Sequence, residues 1–228
     1  MTDQFYKLDN PAWYALHETH RNFCIGIDGL KGYRKNIVAF AAWDTSNDNG
    51  LNRLDELIEP NESFFIIGDM AQLPSNYLIE KIITCLQMIC LVEITIKLGA
   101  TVIQLSDAEA DQMTALTKLV MPGYYKHDTK LMGDYYGIMD NLQLVAMAGE
   151  RICLNGLTEI SAVVTHPAFT GRTYAQQLVA QVVNKNIAAG IIPFLHTGHT
   201  NERAIRMYEY LGFKKRRLIN FTKIKREK

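Results

Sequence analysis

Ala162-Val163-Val164-Thr165-His166-Pro167-Ala168-Phe169-Thr170-Gly171-Arg172-Thr173-Tyr174-Ala175 is the stretch on which the fold of this chain turns. A β-branched run stops at His166-Pro167, passes one glycine, and opens onto Gln176-Gln177-Leu178-Val179, where the helical pattern begins. A strand that feeds a tight loop and then a helix N-terminus leaves several backbone N–H groups without partners, aimed at one point. Such a point suits a phosphate or pyrophosphate.

The sequence on either side is equally regular. Upstream, residues 151–154 and 157–165 flank Asn155-Gly156, the strongest hairpin signal in the chain. Residues 135–139 and 142–147 pair across Asp140-Asn141. Before them Ser106 and Glu109 form a capping box, Met113, Leu116 and Val120 give an apolar stripe, and Pro122-Gly123 ends the helix. Downstream, Leu178, Val179, Val182, Val183 and Ile187 mark a helix closed by Gly190. Residues 191–197 read as a buried strand. Ala204, Ile205, Tyr208 and Leu211 form one face of a last helix, with Gly212 at its C-cap. The order helix, antiparallel meander, helix, strand, helix, strand predicts an α+β, mixed α/β sheet with flanking helices, not a doubly wound one.

The first hundred residues read as a second, smaller α/β unit. Pro11 opens a short helix through Trp13 and Leu16 toward His20. Residues 23–27, 36–43 and 64–67 look like strands, with the loop Thr45-Ser46-Asn47-Asp48-Asn49-Gly50 among them. Leu78, Ile79, Ile82, Ile83, Leu86 and Ile89 predict the buried face of a helix. Residues 92–96 and 102–105 are strand-like and flank a turn at Leu98-Gly99-Ala100. The expected division is therefore 1–100 and 101–228.

About twenty-five residues beyond the loop comes Thr200-Asn201-Glu202-Arg203-Ala204-Ile205-Arg206-Met207-Tyr208-Glu209-Tyr210-Leu211-Gly212-Phe213. The two segments, in this order and at this distance, resemble the GNAT superfamily of N-acetyltransferases. In that family the first is the acyl-CoA pyrophosphate loop and the second an Asn-x-x-Ala-x-x-x-Tyr-Glu-x-Leu-Gly-Phe signature, matched here by Asn201 and Tyr208. The resemblance reaches back through Leu144-Val145-Ala146 to about Val102; no such match precedes residue 100. It implies a mostly antiparallel GNAT-like sheet, acetyl-CoA as cosubstrate, an amine acceptor, and no metal. It also implies a division of labour. Val163, Val164 and Thr165 would meet the pantetheine arm, and the Val163 N–H would polarise the thioester carbonyl. The amides of Gly171, Arg172, Thr173, Tyr174, Ala175 and Gln176 would cradle the pyrophosphate. Tyr208 would protonate the departing thiolate. Two positions depart from the family: Thr170 replaces a long polar donor and Thr173 replaces a second glycine.

The base is less defined. Alternation puts Glu159, Ser161 and Val163 on one face of their strand, so the Glu159 carboxylate is expected to point toward the acetyl group, acting directly or through water. His196 and His199 are the other candidates. Glu150-Arg151 is expected to be an ion pair in a turn, and His17 and His20 share a helix face without further metal ligands. Three functions stay open: an N-acetyltransferase, a non-catalytic CoA-binding module, and a transferase of longer acyl groups.

Composition narrows the setting. The chain has 228 residues, 48% hydrophobic and 21% charged, and no apolar run approaches a membrane span. The opening Met-Thr-Asp-Gln-Phe-Tyr has no signal-peptide pattern, and Cys24, Cys85, Cys90 and Cys153 lack metal spacing, so a cytoplasmic protein with reduced thiols is expected, as monomer or homodimer. Net charge is zero but uneven: from Lys214 onward there are eight basic residues and one acid, against 16 basic and 23 acidic before it. Leu218, Phe221 and Ile224 interrupt that run as a half-exposed edge strand would, which argues against nucleic-acid binding.

Overall fold

The computed structural model describes residues 5–47, 50–96 and 99–227. Asp48, Asn49 and Leu98, which fall in the expected loop and turn, lie outside the described residues, as do Met1 to Gln4 and Lys228. The elements run α1 (Pro11–His17), β1 (Cys24–Ile27), β2 (Leu30–Tyr33), β3 (Phe40–Trp43), β4 (Ser63–Ile67) and β5 (Tyr77–Ile89). They continue β6 (Ile103–Gln104), α2 (Ala110–Val120), β7 (Tyr135–Asp140), β8 (Gln143–Leu154), β9 (Leu157–Thr165) and α3 (Tyr174–Ala188). β10 (Ile192–Gly198), α4 (Glu202–Tyr210) and β11 (Lys214–Arg226) complete the chain. Among the described residues no helix is long and apolar enough to cross a membrane.

The expected second-half order is present, from the Ser106/Glu109 capping box before α2 to β11. These eleven strands join one sheet in the order β1-β2-β3-β4-β11-β5-β10-β9-β8-β7-β6. Among the described residues only β3–β4 and β9–β10 are parallel. Elements from both sides of residue 100 thus alternate in the sheet: β5 lies between β10 and β11, and β11 between β5 and β4.

Three local expectations are corrected. Residues 77–89, expected as a helix, are strand β5, and Leu78, Ile79 and Ile82 of the supposed buried face are exposed. Their i, i+3, i+4 spacing is real, but Ile79, Ile82, Ile83 and Thr84 are β-branched, and two long neighbours offer pairing that a helix would forgo. Residues 92–96, expected as a strand, have no regular structure; Asn184 of α3 instead hydrogen-bonds both the N–H and the carbonyl of Ile94. β11, expected at an edge, is central. Its basic residues meet acids from the rest of the chain: Arg216 and Arg217 reach Asp9 (2.7 and 2.8 Å), Lys223 reaches Glu80 (2.7 Å) and Arg226 reaches Asp55 (3.2 Å).

The two faces of the sheet carry separate cores. On one, α1 inserts Ala12, Ala15 and Leu16 against Ile152, Leu157, Phe194 and Ile219, and α2 sets Met113 and Leu116 on Leu144, Met147, Ala162 and Val164. On the other, Leu178, Val179, Val182 and Val183 of α3, with Tyr208 and Leu211 of α4, cover Val145, Ala148, Ile160 and Leu195. Phe194 and Leu195 fall in opposite cores, as alternation along β10 requires.

Candidate active site

Two irregularities in β9 open the sheet. β9 and β10 pair from Leu157/Ile192 to Ile160/Leu195 and then separate. Beyond that point β9 keeps its antiparallel partner β8 as far as Thr165, and β10 keeps β5 as far as Gly198. The gap is a cavity of about 800 Å³ reaching from one face of the sheet to the other. Toward α3 and α4 it is lined by Val163, Thr165, the loop from Thr170 through Gln176, Asn201 and Tyr208. The opposite end is lined by Ile83, Cys85, Arg151, His196 and Phe221, with Met121 and Tyr124 from the segment after α2.

The second irregularity is a bulge. Ala162 and Val163 of β9 oppose Ala148 alone, and Ala162 has φ +50°. A left-handed alanine costs roughly 1–2 kcal/mol. The extra residue inverts the alternation: before it Ile160 packs toward α3, after it Ala162 and Val164 pack under α2, and Val163 turns to the α3 side. Glu159 and Val163 therefore do not share a face, which corrects the expectation drawn from simple alternation.

The loop has the geometry of an anion cradle. The first backbone bond of α3 runs from Gln177 N–H to the Thr173 carbonyl, leaving the amides of Tyr174, Ala175 and Gln176 without intrahelical partners. Gly171 has φ +83° with open space where a side chain would stand. Thr173, in the position where the resembling family has glycine, is itself left-handed (φ +60°), which is the physical reason for the usual glycine. Its hydroxyl donates to the Arg172 carbonyl (2.7 Å) and accepts from Gln177 (3.1 Å). Gln177 in turn accepts the N–H groups of Gly99 and Ala100, both at 2.9 Å. Thr170 ties back to the Pro167 carbonyl, and the Arg172 guanidinium lies over Phe169.

α4 presents the second half of the site. Asn201 is its N-cap, accepting from Ala204 N–H (3.1 Å). Two turns on, Tyr208 is buried with its ring edge-on to Phe213. Its hydroxyl has no protein hydrogen-bond partner among the described residues and is not sealed from the cavity that the residue lines. Burial pushes its pKa up to about 12, so the hydroxyl keeps its proton throughout the neutral range.

Behind the other end of the cavity lies a polar chain. A bulge in β8 sets Arg151 and Ile152 opposite Glu159. Arg151 Nε and Nη2 donate to Glu159 (2.8 and 2.6 Å), and His196 Nδ1 lies 2.7 Å from Glu159 Oε1. Gln87 Nε2 lies 2.9 Å from His196 Nε2 and donates to the Leu8 carbonyl, while Gln87 Oε1 accepts from Arg216. The Gln87 amide can only donate from this nitrogen, so His196 accepts at Nε2 and donates from Nδ1 to Glu159. Burial works to raise the Glu159 pKa; the Arg151 charge and hydrogen bonds, with that from His196, overcome it and hold the carboxyl at about 2. Glu159 is 1% exposed and does not line the cavity. A carboxylate so acidic, with both oxygens engaged, is a weak base.

Other expected groups lie elsewhere. Val164 packs under α2 and its side chain does not reach the cavity. His199 Nδ1 lies 2.9 Å from the Thr84 carbonyl outside it. Glu150 pairs with Lys185 and Asn186 rather than Arg151 (2.7 and 2.6 Å), because the two side chains leave β8 on opposite faces. His20 is enclosed between the Tyr33 hydroxyl and the Met132 carbonyl. Among the described residues no group of three or more His, Cys, Asp or Glu is arranged to hold a metal. Sequence reasoning missed Arg151, Ile83, Cys85 and Phe221; the one available signal was an arginine inside the otherwise apolar run 151–154.

Residues 135–222 match the family model described as FR47-like protein. The whole chain is similar to a Novosphingobium aromaticivorans protein assigned as an acetyltransferase of the GNAT family, at 28% identity over 98% of this chain and 100% of that one, with a TM-score of 0.90. A GCN5-related N-acetyltransferase from Kribbella flavida shares the fold at 15% identity, over 94% of this chain and 93% of that one, with a TM-score of 0.63. A GCN5-related N-acetyltransferase-like protein from Streptococcus suis does so at 12% identity, over 96% and 94%, with a TM-score of 0.56. No curated protein matches the sequence.

Proposed function

Since this chain carries an FR47-like domain and has the GNAT acetyltransferase fold, we propose that it is a cytoplasmic N-acetyltransferase moving the acetyl group of acetyl-CoA to an amine. The observation that carries this reading is Tyr208: a buried ring whose hydroxyl has no protein partner among the described residues and is open to the cavity it shares with the β9 bulge and the amide-rich loop. The pyrophosphate sits on the amides of Gly171 through Gln176, and the pantetheine arm runs along Val163 to Thr165 toward the gap in the sheet. The Val163 N–H, turned by the bulge, donates to the thioester carbonyl.

The amine enters from the end lined by Ile83, Cys85 and Phe221, so part of the acceptor pocket comes from the first hundred residues. Its nitrogen attacks the acyl carbon directly, forming the C–N bond as the C–S bond breaks. The thiolate takes a proton from Tyr208, which recovers one from the proton the nitrogen gives up through water. Glu159 acts as a positioning residue, keeping Arg151 and His196 in place, rather than as the base. Free thiol released from acetyl-CoA in the presence of mixed amines tests the proposal. A protein that is stabilised by acetyl-CoA but releases no thiol with any amine is a binding module. Faster release from a longer acyl-CoA would reassign the donor.

A further inference from the structure

The acceptor end of the cavity has an unused hydrogen-bonding edge. Arg151 has five N–H donors, of which Nε and one on Nη2 go to Glu159. No other hydrogen bond is made by its guanidinium among the described residues, its side chain is 12% exposed, and the residue lines the cavity. Glu159 occupies the side edge of the fork, which leaves the end edge, Nη1 with Nη2, presenting two parallel N–H groups. That pair matches the two oxygens of a carboxylate. The Phe40 and Phe221 rings, 5.0 and 5.8 Å from the guanidinium carbon, hold the fork against rotation.

The cavity's charge points the same way. Among the described residues lining it there is no aspartate or glutamate, and its charged residues are Arg151, Arg172 and Arg203. Arg151 is already paired with Glu159, so the acceptor end offers no free carboxylate to a second ammonium group. The neighbouring walls, Ile83, Cys85, Tyr124 and Phe221, are largely apolar. We infer that the acceptor is a monoamine on an apolar body that carries a carboxylate, read by the free end of the Arg151 fork, and that polyamines are excluded. This rests on the acyl-transfer reading above.

Matched acceptors test it with acetyl-CoA and a free-thiol readout: phenethylamine, phenylalanine and phenylalanine amide; benzylamine and 4-(aminomethyl)benzoate; and spermidine. In at least one set the carboxylate member should exceed its unsubstituted partner by roughly 10–100-fold in kcat/KM, mostly through KM, with the amide between them and spermidine poorest. In Arg151→Met/Glu159→Gln, which removes both buried charges together, that ratio should fall to about one. Arg151→Lys keeps a cation beside Glu159 without the fork, and should also lose most of the preference if the double variant does not fold. Equal rates across each set, or spermidine as the best acceptor, would overturn the inference while leaving acyl transfer standing. A preference that survives in a folded Arg151 variant would overturn the role of Arg151. Absence of thiol release with every amine would instead overturn the acyl-transfer reading itself.

Discussion

Replacing Tyr208 by phenylalanine separates chemistry from packing because of what its hydroxyl lacks. The ring is buried against Phe213 and stays in the variant, while the hydroxyl has no protein partner to lose among the described residues. Removing an unpaired hydroxyl beside an open cavity should change stability by less than about 0.5 kcal/mol, against about 0.5–1.5 kcal/mol for a hydroxyl in a net-favourable hydrogen bond. In a chain of this size the melting temperature should move by about 2 °C at most. Turnover should behave otherwise. Loss of a positioned proton donor lowers rates by roughly 10²–10⁴, which is about 3–5 kcal/mol of barrier. With a pKa near 12, Tyr208 stays protonated as the amine is neutralised. The wild-type rate should therefore climb with pH through about 10, without a descending limb from this group. The assay is free-thiol release in single turnover, beside thermal melting with and without acetyl-CoA. A donor with a more acidic thiol should recover part of the loss, since its leaving group needs less help. The reasoning is refuted by a phenylalanine variant that turns over acetyl-CoA at the wild-type rate with chemistry limiting. It is equally refuted by one that loses activity only in proportion to its unfolding.

Three further outcomes are expected. Gly171→Val puts a branched side chain at φ +83°, in open space facing the anion cradle; it should cost about 1–2 kcal/mol and abolish the rise in melting temperature that acetyl-CoA produces, so a retained rise would remove the loop from the cofactor site. Burial lowers the His20 pKa to about 4, against the Met132 carbonyl bond that raises it, so its neutral form is favoured by folding. The stability this confers is complete above the unfolded pKa near 6.5 and is lost as pH falls toward 4, by up to about 3 kcal/mol. Glu159 and the other glutamates held low add losses beginning at about pH 5.5, so urea midpoints from about pH 7.5 to 5.5 report on His20, and His20→Gln should flatten that part of the curve. Finally, a fragment starting near Ala100 lacks β5, leaving facing edges of β10 and β11 unpaired; it should aggregate, and a monomeric fragment with unchanged kinetics would contradict that.

Local chemistry determined much of this protein before any contact was known. The capping box at Ser106, the Asn155-Gly156 hairpin, the strand–loop–helix around Gly171 and the capped helix from Asn201 each depend on residues a few positions apart, so spacing was enough to read them. The family resemblance rests on the same segments. What tertiary structure alone decided is non-local. β5 carries helical spacing yet became a strand because β10 and β11 flank it, and the basic β11 became central because distant acids neutralise it. The site followed the same rule. Inserting one residue at Ala162 reverses the side chains after it, so Val163 turns to the α3 side while Glu159, before the bulge, faces Arg151 and His196. A period of two survives only while both strands advance in step, and whether they do is set by the partner strand, which no local pattern records.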